Sequence, residues 1–433
     1  MERTEARGTS VRAWYVVALL FGVYVMNMAD RQIVGILAQD IKRDLHLSDA
    51  EIGFLGGPAI GFFYAILGIP MAYAADRIHR VRFIAASIAV WSLFTVLGGR
   101  ATSFVQLALT RVGVSVAEAG GSPSSVSLIA DYFPPERRGT AMAVWTSAST
   151  VAIFVGFAVG GVVNEALGWR DTFLAAGIPG LLLALLLLTT VREPVRGATD
   201  GKAAPRAEAG LIDTCRTLWA IVPFRRMVLA VSACNFCVFA VLNWAPAHAM
   251  RSFALGSGQV GGVMGTGIAL AGGTTMILSG IVTDRLARGG LHRATWLVAL
   301  LMLVSASSFA AAFLASDFTA FSVFFLIGYA ALMANPPVSW VILARYSPPE
   351  MRAMATAVLL LVIALTAMVP APWIVGRVSD LLTPAYGPAG LGHALLLAPL
   401  AVLLAALLWW RTGMAIRGGT EHEMPLNPQQ IGI

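Results

Sequence analysis

Ten stretches of the chain contain no Asp, Glu, Lys or Arg and have the length of a bilayer crossing: residues 52–75, 83–99, 139–164, 172–191, 227–250, 252–283, 294–316, 318–344, 353–376 and 381–410. A hydrocarbon core about 30 Å thick takes about 20 helical residues to cross. Two further apolar stretches are interrupted by charge, 14–38 by Asp30 and Arg31 and 104–130 by Arg111 and Glu118. Inside lipid every backbone N–H and C=O must be satisfied within the protein, which leaves helices and closed barrels. Strand-like alternation is absent, so a barrel is excluded. The expectation is an all-α integral membrane protein of twelve transmembrane helices, in a six-plus-six arrangement about a central cavity. Residues 1–191 form one six-helix bundle, 192–226 a polar linker, and 227–433 the second bundle with a short tail. Only 12% of the 433 residues are charged, against about 25% in ordinary globular domains. That is too few to coat a water-soluble surface, which excludes a cytosolic enzyme or a nucleic-acid-binding module. The opening MERTEARGTSVR is short and polar, and no small-residue cleavage site follows the first apolar run. Helix 1 is therefore expected to be retained.

The basic residues give an orientation, because cytoplasmic loops of membrane proteins hold an excess of Lys and Arg. With the N-terminus inside, 22 of the 30 basic residues fall on the cytoplasmic side, six outside, and Arg31 and Arg111 within the membrane. Both termini are expected in the cytoplasm, in a bacterial inner membrane.

The two halves repeat one another. DYFPPERRGTAMAV at 131–144 matches RYSPPEMRAMATAV at 345–358 at an offset of 214, through Tyr, both prolines, Glu, the second Arg, Ala and Val. Asp76-Arg77 with Arg80 matches Asp284-Arg285 with Arg288 at an offset of 208. Ordinary positive loops explain the arginines but not the repeated acids. A duplicated six-helix unit with binding near the bilayer midplane is a transporter plan. The recurring acid–arginine elements, Asp76, Arg77, Arg80, Asp284, Arg285 and Arg288 together with Glu136 and Arg138, are read as a cytoplasmic gate.

Charge within a span costs at least ~2.5–3.5 kcal/mol and marks a cavity, a partner or an ion path. Asp30 and Arg31 are adjacent in helix 1 and point about 100° apart. Arg111 and Glu118 lie two turns apart in helix 4 and share a face. The simplest pairing across the helices is Asp30 with Arg111 and Arg31 with Glu118. A dry cavity favours a protonated carboxyl group and a nearby arginine favours the ionised one. Making or breaking the arginine contact would therefore load and unload a proton. The second half has no ionised residue at mid-depth, and its polar candidates for a substrate cavity are Asn243, Trp244 and Asn335, beside Asn27 in helix 1. In helix 5, Gly156-x-x-x-Gly160-Gly161 permits close helix contact.

These motifs resemble those of the major facilitator superfamily, and within it the spinster-like members. The Gly-x-x-x-Asp-Arg signature is met by Gly280, Asp284, Arg285 and Arg288, whereas in the first copy Ala72 and His79 stand where glycines are usual. Asn27, Asp30 and Arg31 in NMADRQIVGIL resemble the spinster helix 1 element, and Arg111, Glu118 and Pro123 in LTRVGVSVAEAGGSP that of helix 4. The GWRDTF run at 168–173 and the WAP at 244–246 also fit. In helix 5, Phe157 occupies the usual proline position of an antiporter motif. The resemblance implies proton coupling through the helix 1 and helix 4 charges, and an amphipathic or lipid-like solute of lysolipid or sphingoid type. Anion:cation symporters for small organic acids share several of these elements and remain the alternative.

No P-loop is present, so ATP is not the energy source. The six histidines form no metal pair, and Cys215, Cys234 and Cys237 give no disulfide framework. The expected partners are the lipid bilayer, a small-molecule or lipid-like substrate and protons, with no cofactor beyond the proton gradient and no nucleic acid, in a monomer. A membrane-embedded enzyme would need a nucleophile–base set or metal ligands, and a sensor an appended signalling domain; neither is found.

Overall fold

A computed structural model describes residues 11–75, 77–194, 211–348 and 351–418. Among the described residues there are helices and no strands. Span 1 is Val11–Leu45; span 2 joins Asp49–Gly56 to Pro58–Ala75; span 3 is Arg80–Gly98; span 4 joins Phe104–Glu118 to Gly121–Tyr132. Span 5 runs Pro135–Leu167 and span 6 Trp169–Thr190. A short helix, Leu211–Ala220, precedes span 7, Val222–Phe253, followed by span 8, Ser257–Ala287, and span 9, Leu291–Phe313. Span 10 joins Phe318–Leu332 to Asn335–Tyr346, span 11 runs 352–386, and span 12 joins Gly390–Leu395 to Leu397–Gly418. Twelve spans are thus present among the described residues.

Proline chemistry sets the breaks in spans 4 and 10. A proline lacks an N–H, and its ring clashes with the carbonyl four residues earlier. Pro123 directs that clash at Ala119, where the first segment of span 4 is capped, and Pro336 and Pro337 direct it at Leu332 and Met333, where that of span 10 ends. Both second segments carry these prolines in their first turn, where the missing N–H is harmless. The boundaries of the two spans correspond residue for residue at an offset of 214: Phe104–Glu118 with Phe318–Leu332, and Gly121–Tyr132 with Asn335–Tyr346. The caps correspond too, since Ser103 and Asp317 each accept a backbone N–H from three residues on. Spans 5 and 11 each hold one wide turn, at Val155–Val159 and Ala364–Met368. The repeat seen in the sequence is therefore a repeat of helix architecture.

The chain forms two compact units. Unit 1 comprises Met1–Leu47, Ala59–Ala204 and Gly256–Gly265, and unit 2 comprises Ser48–Pro58, Pro205–Leu255 and Thr266–Ile433. Each unit thus takes one short segment from the opposite half of the sequence. Glycine admits both. In unit 2, a Cβ on Gly53 would collide with the carbonyl of Pro372, and one on Gly57 with that of Val369. In unit 1, a Cβ on Gly261 would collide with the Phe157 carbonyl, and one on Gly265 with the backbone of Ala158. These four glycines correspond at an offset of 208, the same offset as the Asp-Arg elements. The helix 5 glycines take part: Gly156 lies against Ala29 and Gln32 of span 1, and Gly161 against Ser257.

A substitution pair checks this packing. Gly261→Ala forces the span 5 backbone aside and is expected to cost about 1–3 kcal/mol, as overpacking does. Gly139→Ala, where nothing lies within 4 Å, should hold or raise stability, since alanine is the better helix former. Thermal unfolding in detergent reads both.

Candidate functional site

Spans 1, 3 and 4 bring four charged side chains into the interior of unit 1. Arg111 Nη2 lies 2.8 Å from Asp30 Oδ2 and also donates to the Asp30 carbonyl at 3.3 Å. Thr95 of span 3 donates to the other oxygen, Oδ1, at 3.1 Å. Arg31 donates through Nε to Glu118 Oε2 at 3.0 Å, with its Nη2 2.9 Å from the same oxygen. The side chains of Arg111, Asp30 and Glu118 are 1%, 5% and 0% exposed, and that of Arg31 is 16% exposed. Arg31 is thus the one member of the four that reaches an accessible surface, and it lies over the Tyr64 ring at 4.5 Å. The two pairs are those the helix geometry suggested.

The satisfaction of these groups is incomplete. Glu118 Oε1 and Arg111 Nε and Nη1 are buried and have no hydrogen-bond partner among the described residues. The same holds for Oδ1 of Asn27, one turn before Asp30 and Arg31 and itself buried. Such groups are rare in native structures and mark places where water, a proton or a ligand belongs. Glu118 is also the last residue of its helical segment, where the helix dipole disfavours an anion. Arg31 is what compensates it there.

The residues read as a gate fall in several settings. Asp76 lies outside the described residues. Arg80 is buried inside unit 1, paired with Asp131 at 2.5 Å and Glu193 at 2.7 Å and donating to Ser127. Its place is a packed junction between spans 3 and 4 and the end of span 6. Arg77 and Glu136 are exposed. Arg138 donates to the carbonyls of Ala130 and Phe133, bracing the Pro134-Pro135 turn. Asp284, Arg285 and Arg288 are exposed at the end of span 8. At Glu193, burial pushes the carboxyl up, but the Val81 amide, the Arg80 guanidinium and the neighbouring His79 outweigh it and hold it below its ordinary value.

In unit 2, Asn243 donates to the Phe239 carbonyl of its own helix, and its side chain occupies the space left by Gly56. Asn335 is buried at the start of the second segment of span 10, accepting from Ser339. Trp244 corrects the sequence reading. It is fully buried, and its indole N–H donates to the Pro372 carbonyl at 2.8 Å. It packs span 7 on span 11 and lines no open surface.

One charge cluster escaped the sequence reading. Asp49 is fully buried, held bidentately by Arg251 at 2.7 and 2.5 Å and by Ser379 Oγ at 2.6 Å. Asp380 caps the same helix start, accepting from the backbone N–H groups of Asp49 and Ala50 at 2.9 and 2.8 Å. The visible signal was Ser48-x-x-Glu51, a capping box that marks a helix start and that the structure forms in full. Among the described residues no group of three or more His, Cys, Asp or Glu could hold a metal ion.

Two measurements check these settings. Arg111→Ala leaves Asp30 buried with Thr95 as its remaining side-chain donor, which is expected to cost about 3–5 kcal/mol. Asp30→Asn, which leaves the Arg111 guanidinium buried without its counter-charge, should lower the unfolding midpoint as well. Because the Glu193 carboxyl sits low in the folded state, its contribution is present above the ordinary carboxylate range and lost as pH falls through the folded value. The Tm difference between wild type and Glu193→Gln should therefore hold down to about pH 5 and shrink below about pH 4.

Comparison with known proteins agrees with this architecture. The family model described as Major Facilitator Superfamily matches residues 20–371. An MFS-type efflux pump of Mycolicibacterium smegmatis (strain ATCC 700084 / mc(2)155) is 34% identical over 403 residues, covering 92% of each chain. A probable galactarate/D-glucarate transporter of Bacillus subtilis (strain 168) is 30% identical over 306 residues, covering 65% of this chain and 67% of the other. The crystal structure of a bacterial homologue of the human lysosomal transporter Spinster, inward-facing and unoccupied, superposes with a TM-score of 0.87 at 26% identity, over 95% of this chain and 99% of that one. These relatives are transporters or efflux pumps and not enzymes. The chain belongs to the Major Facilitator Superfamily, as a spinster-like, multi-pass membrane transporter.

Proposed function

We propose that the protein is a proton-coupled secondary active transporter that works by alternating access, with Glu118 and Asp30 as its protonatable pair and Arg31 and Arg111 as their exchangeable partners. The observation that carries this reading is the state of Glu118: fully buried, bound through one carboxylate oxygen to Arg31, and with the other oxygen unpartnered among the described residues. A proton on the free oxygen would remove the attraction to Arg31, and Arg31 is the member of the set that reaches an accessible surface. Arginine keeps its charge throughout, so an anionic group arriving at Arg31 competes with Glu118 for it. Substrate arrival and protonation of Glu118 then favour one another, which is a coupling free energy between two ligands. Such coupling drives a cycle only if the two conformations bind the proton differently.

The solute in this reading is amphipathic, a lysolipid or sphingoid molecule with an anionic head. The likeness to the bacterial homologue of Spinster supports it. The second reading is a small organic acid, supported by the sugar-acid transporter among the relatives. Both present an anion to Arg31. The orientation that accompanies this function places both termini in the cytoplasm of a bacterium, in the inner membrane, with a monomer as the working unit. The cytoplasmic gate at Asp76, Asp284 and their arginines belongs to the same proposal.

Uptake into proteoliposomes with an imposed pH gradient tests it, with lysolipids and sugar acids offered side by side. Wild type should accumulate one class above its equilibrium level. Glu118→Gln should bring that accumulation down to an inside-to-outside ratio of one while keeping solute exchange, and Asp30→Asn should do the same or halt the cycle. Full gradient dependence in both variants would remove the two acids from the coupling role.

A further inference from the structure

At the end of unit 2 where span 9 begins and span 12 finishes, a stacked pair of tryptophans lies beside Arg417, with Arg411 and Arg226 at the same helix ends. Trp296 and Trp410 stack with their ring centroids 5.2 Å apart and their planes 25° apart. The Arg417 guanidinium lies over Trp296 at 5.5 Å. Arg226 of span 7 donates to the carbonyl of Arg411 at 2.7 Å, which ties the start of span 7 to the end of span 12. Gly413 seats the shelf, because a Cβ there would collide with the Trp296 indole nitrogen. Arg411 and Arg417 are exposed, and Trp410 is 48% exposed.

Two features separate this cluster from an ordinary basic helix end. The first is charge. Among the described residues none of Arg226, Arg411 and Arg417 has a carboxylate within ion-pair distance, whereas Arg80, at the basic end of unit 1, has two. The second is what continues from it. On span 12, Leu403, Leu407, Trp410, Met414 and Arg417 follow at alternating spacings of four and three, one helix face, and the three apolar residues other than Trp410 are 44–48% exposed. On span 9, Leu303, Leu300 and Trp296 follow the same rule, with the leucines 46% and 58% exposed. The stacked tryptophans join the two stripes. Both therefore run from an apolar exposed surface, through an aromatic level, to a cationic end.

We propose that this shelf is a binding site for one anionic phospholipid: its phosphate is held by Arg417 with Arg226 and Arg411, its glycerol region rests on Trp296 and Trp410, and an acyl chain lies along the leucine stripes. Tryptophan is favoured at headgroup depth for its apolar body and polar edge, and basic residues beside spans attract anionic headgroups. The apolar continuation is what selects a lipid over free phosphate, which has no use for it. Arginines with no carboxylate partner among the described residues favour an anionic headgroup over a zwitterionic one. The site is separate from the charged interior of unit 1 and needs no transport activity for its detection.

The experiment is native mass spectrometry of the full-length protein released from vesicles containing equal amounts of phosphatidylglycerol and phosphatidylcholine. Wild type should retain phosphatidylglycerol in preference to phosphatidylcholine. Arg417→Gln and Arg226→Gln should each lower that retention about fivefold, the equivalent of about 1 kcal/mol per basic residue at an anionic surface. Trp410→Ala should lower it with no change of charge, and Arg100→Gln, an exposed arginine of unit 1, should leave it unchanged. Size exclusion confirms that each variant is folded. Equal retention of the two lipids by wild type would overturn the proposal. So would displacement of the bound lipid by millimolar inorganic phosphate, or loss in Arg100→Gln equal to that in Arg417→Gln.

Discussion

Two guanidinium–carboxylate contacts organise the interior of unit 1. A charge taken out of water loses several kcal/mol of solvation, which only a close partner and further hydrogen bonds restore. Asp30 has both, through Arg111 and Thr95. Glu118 has Arg31 alone among the described residues, with one oxygen left over. The two pairs are thus unequal. The first ties span 1 to spans 3 and 4 through both carboxylate oxygens of Asp30. The second joins spans 1 and 4 through a single carboxylate oxygen of Glu118.

The second half of the chain repeats the backbone and not the chemistry. Leu332 stands at the position equivalent to Glu118, at the same helix break and behind the same kind of proline block. In unit 2 the buried carboxylate lies instead at the start of span 2, where Arg251 of span 7 and Ser379 of span 11 hold Asp49. Duplication has kept the helix break while only one copy places an acid at it. The wide turns in spans 5 and 11 and the matched glycines at 53, 57, 261 and 265 show how much of that geometry is architectural.

Much of this was legible because it is local. The span count follows from charge-free length, and the pairing of Asp30, Arg31, Arg111 and Glu118 from the rarity of charge in apolar runs. What was hidden depends on which helix lies opposite. Asp49 reads as an ordinary loop acid until Arg251, some 200 residues later, closes on it. Trp244 reads as a polar-edged aromatic open to a solute until the carbonyl of Pro372 takes its N–H. The burial of Arg80 is hidden in the same way, because nothing in its neighbourhood announces Asp131 and Glu193. The glycines could have been found by sliding the halves by 208 residues, the offset already given by the Asp-Arg elements.

The exchange of short segments has a consequence for how the protein is made. Unit 1 includes Gly256–Gly265, so it is incomplete until the ribosome has passed residue 265, although its other residues end at 204. Synthesis advances at about 5–20 residues per second, which leaves the six N-terminal spans inserted for several seconds before their last helical turns exist. Unit 2 faces the opposite situation: Ser48–Pro58 is translated long before the rest and must wait, bearing the Asp49 carboxylate, for Arg251 and Ser379 to emerge. Neither unit can finish from its own half alone, and a nascent chain arrested between residues 205 and 250 would lack both the glycines that pack on span 5 and the arginine that holds the acid at the head of span 2.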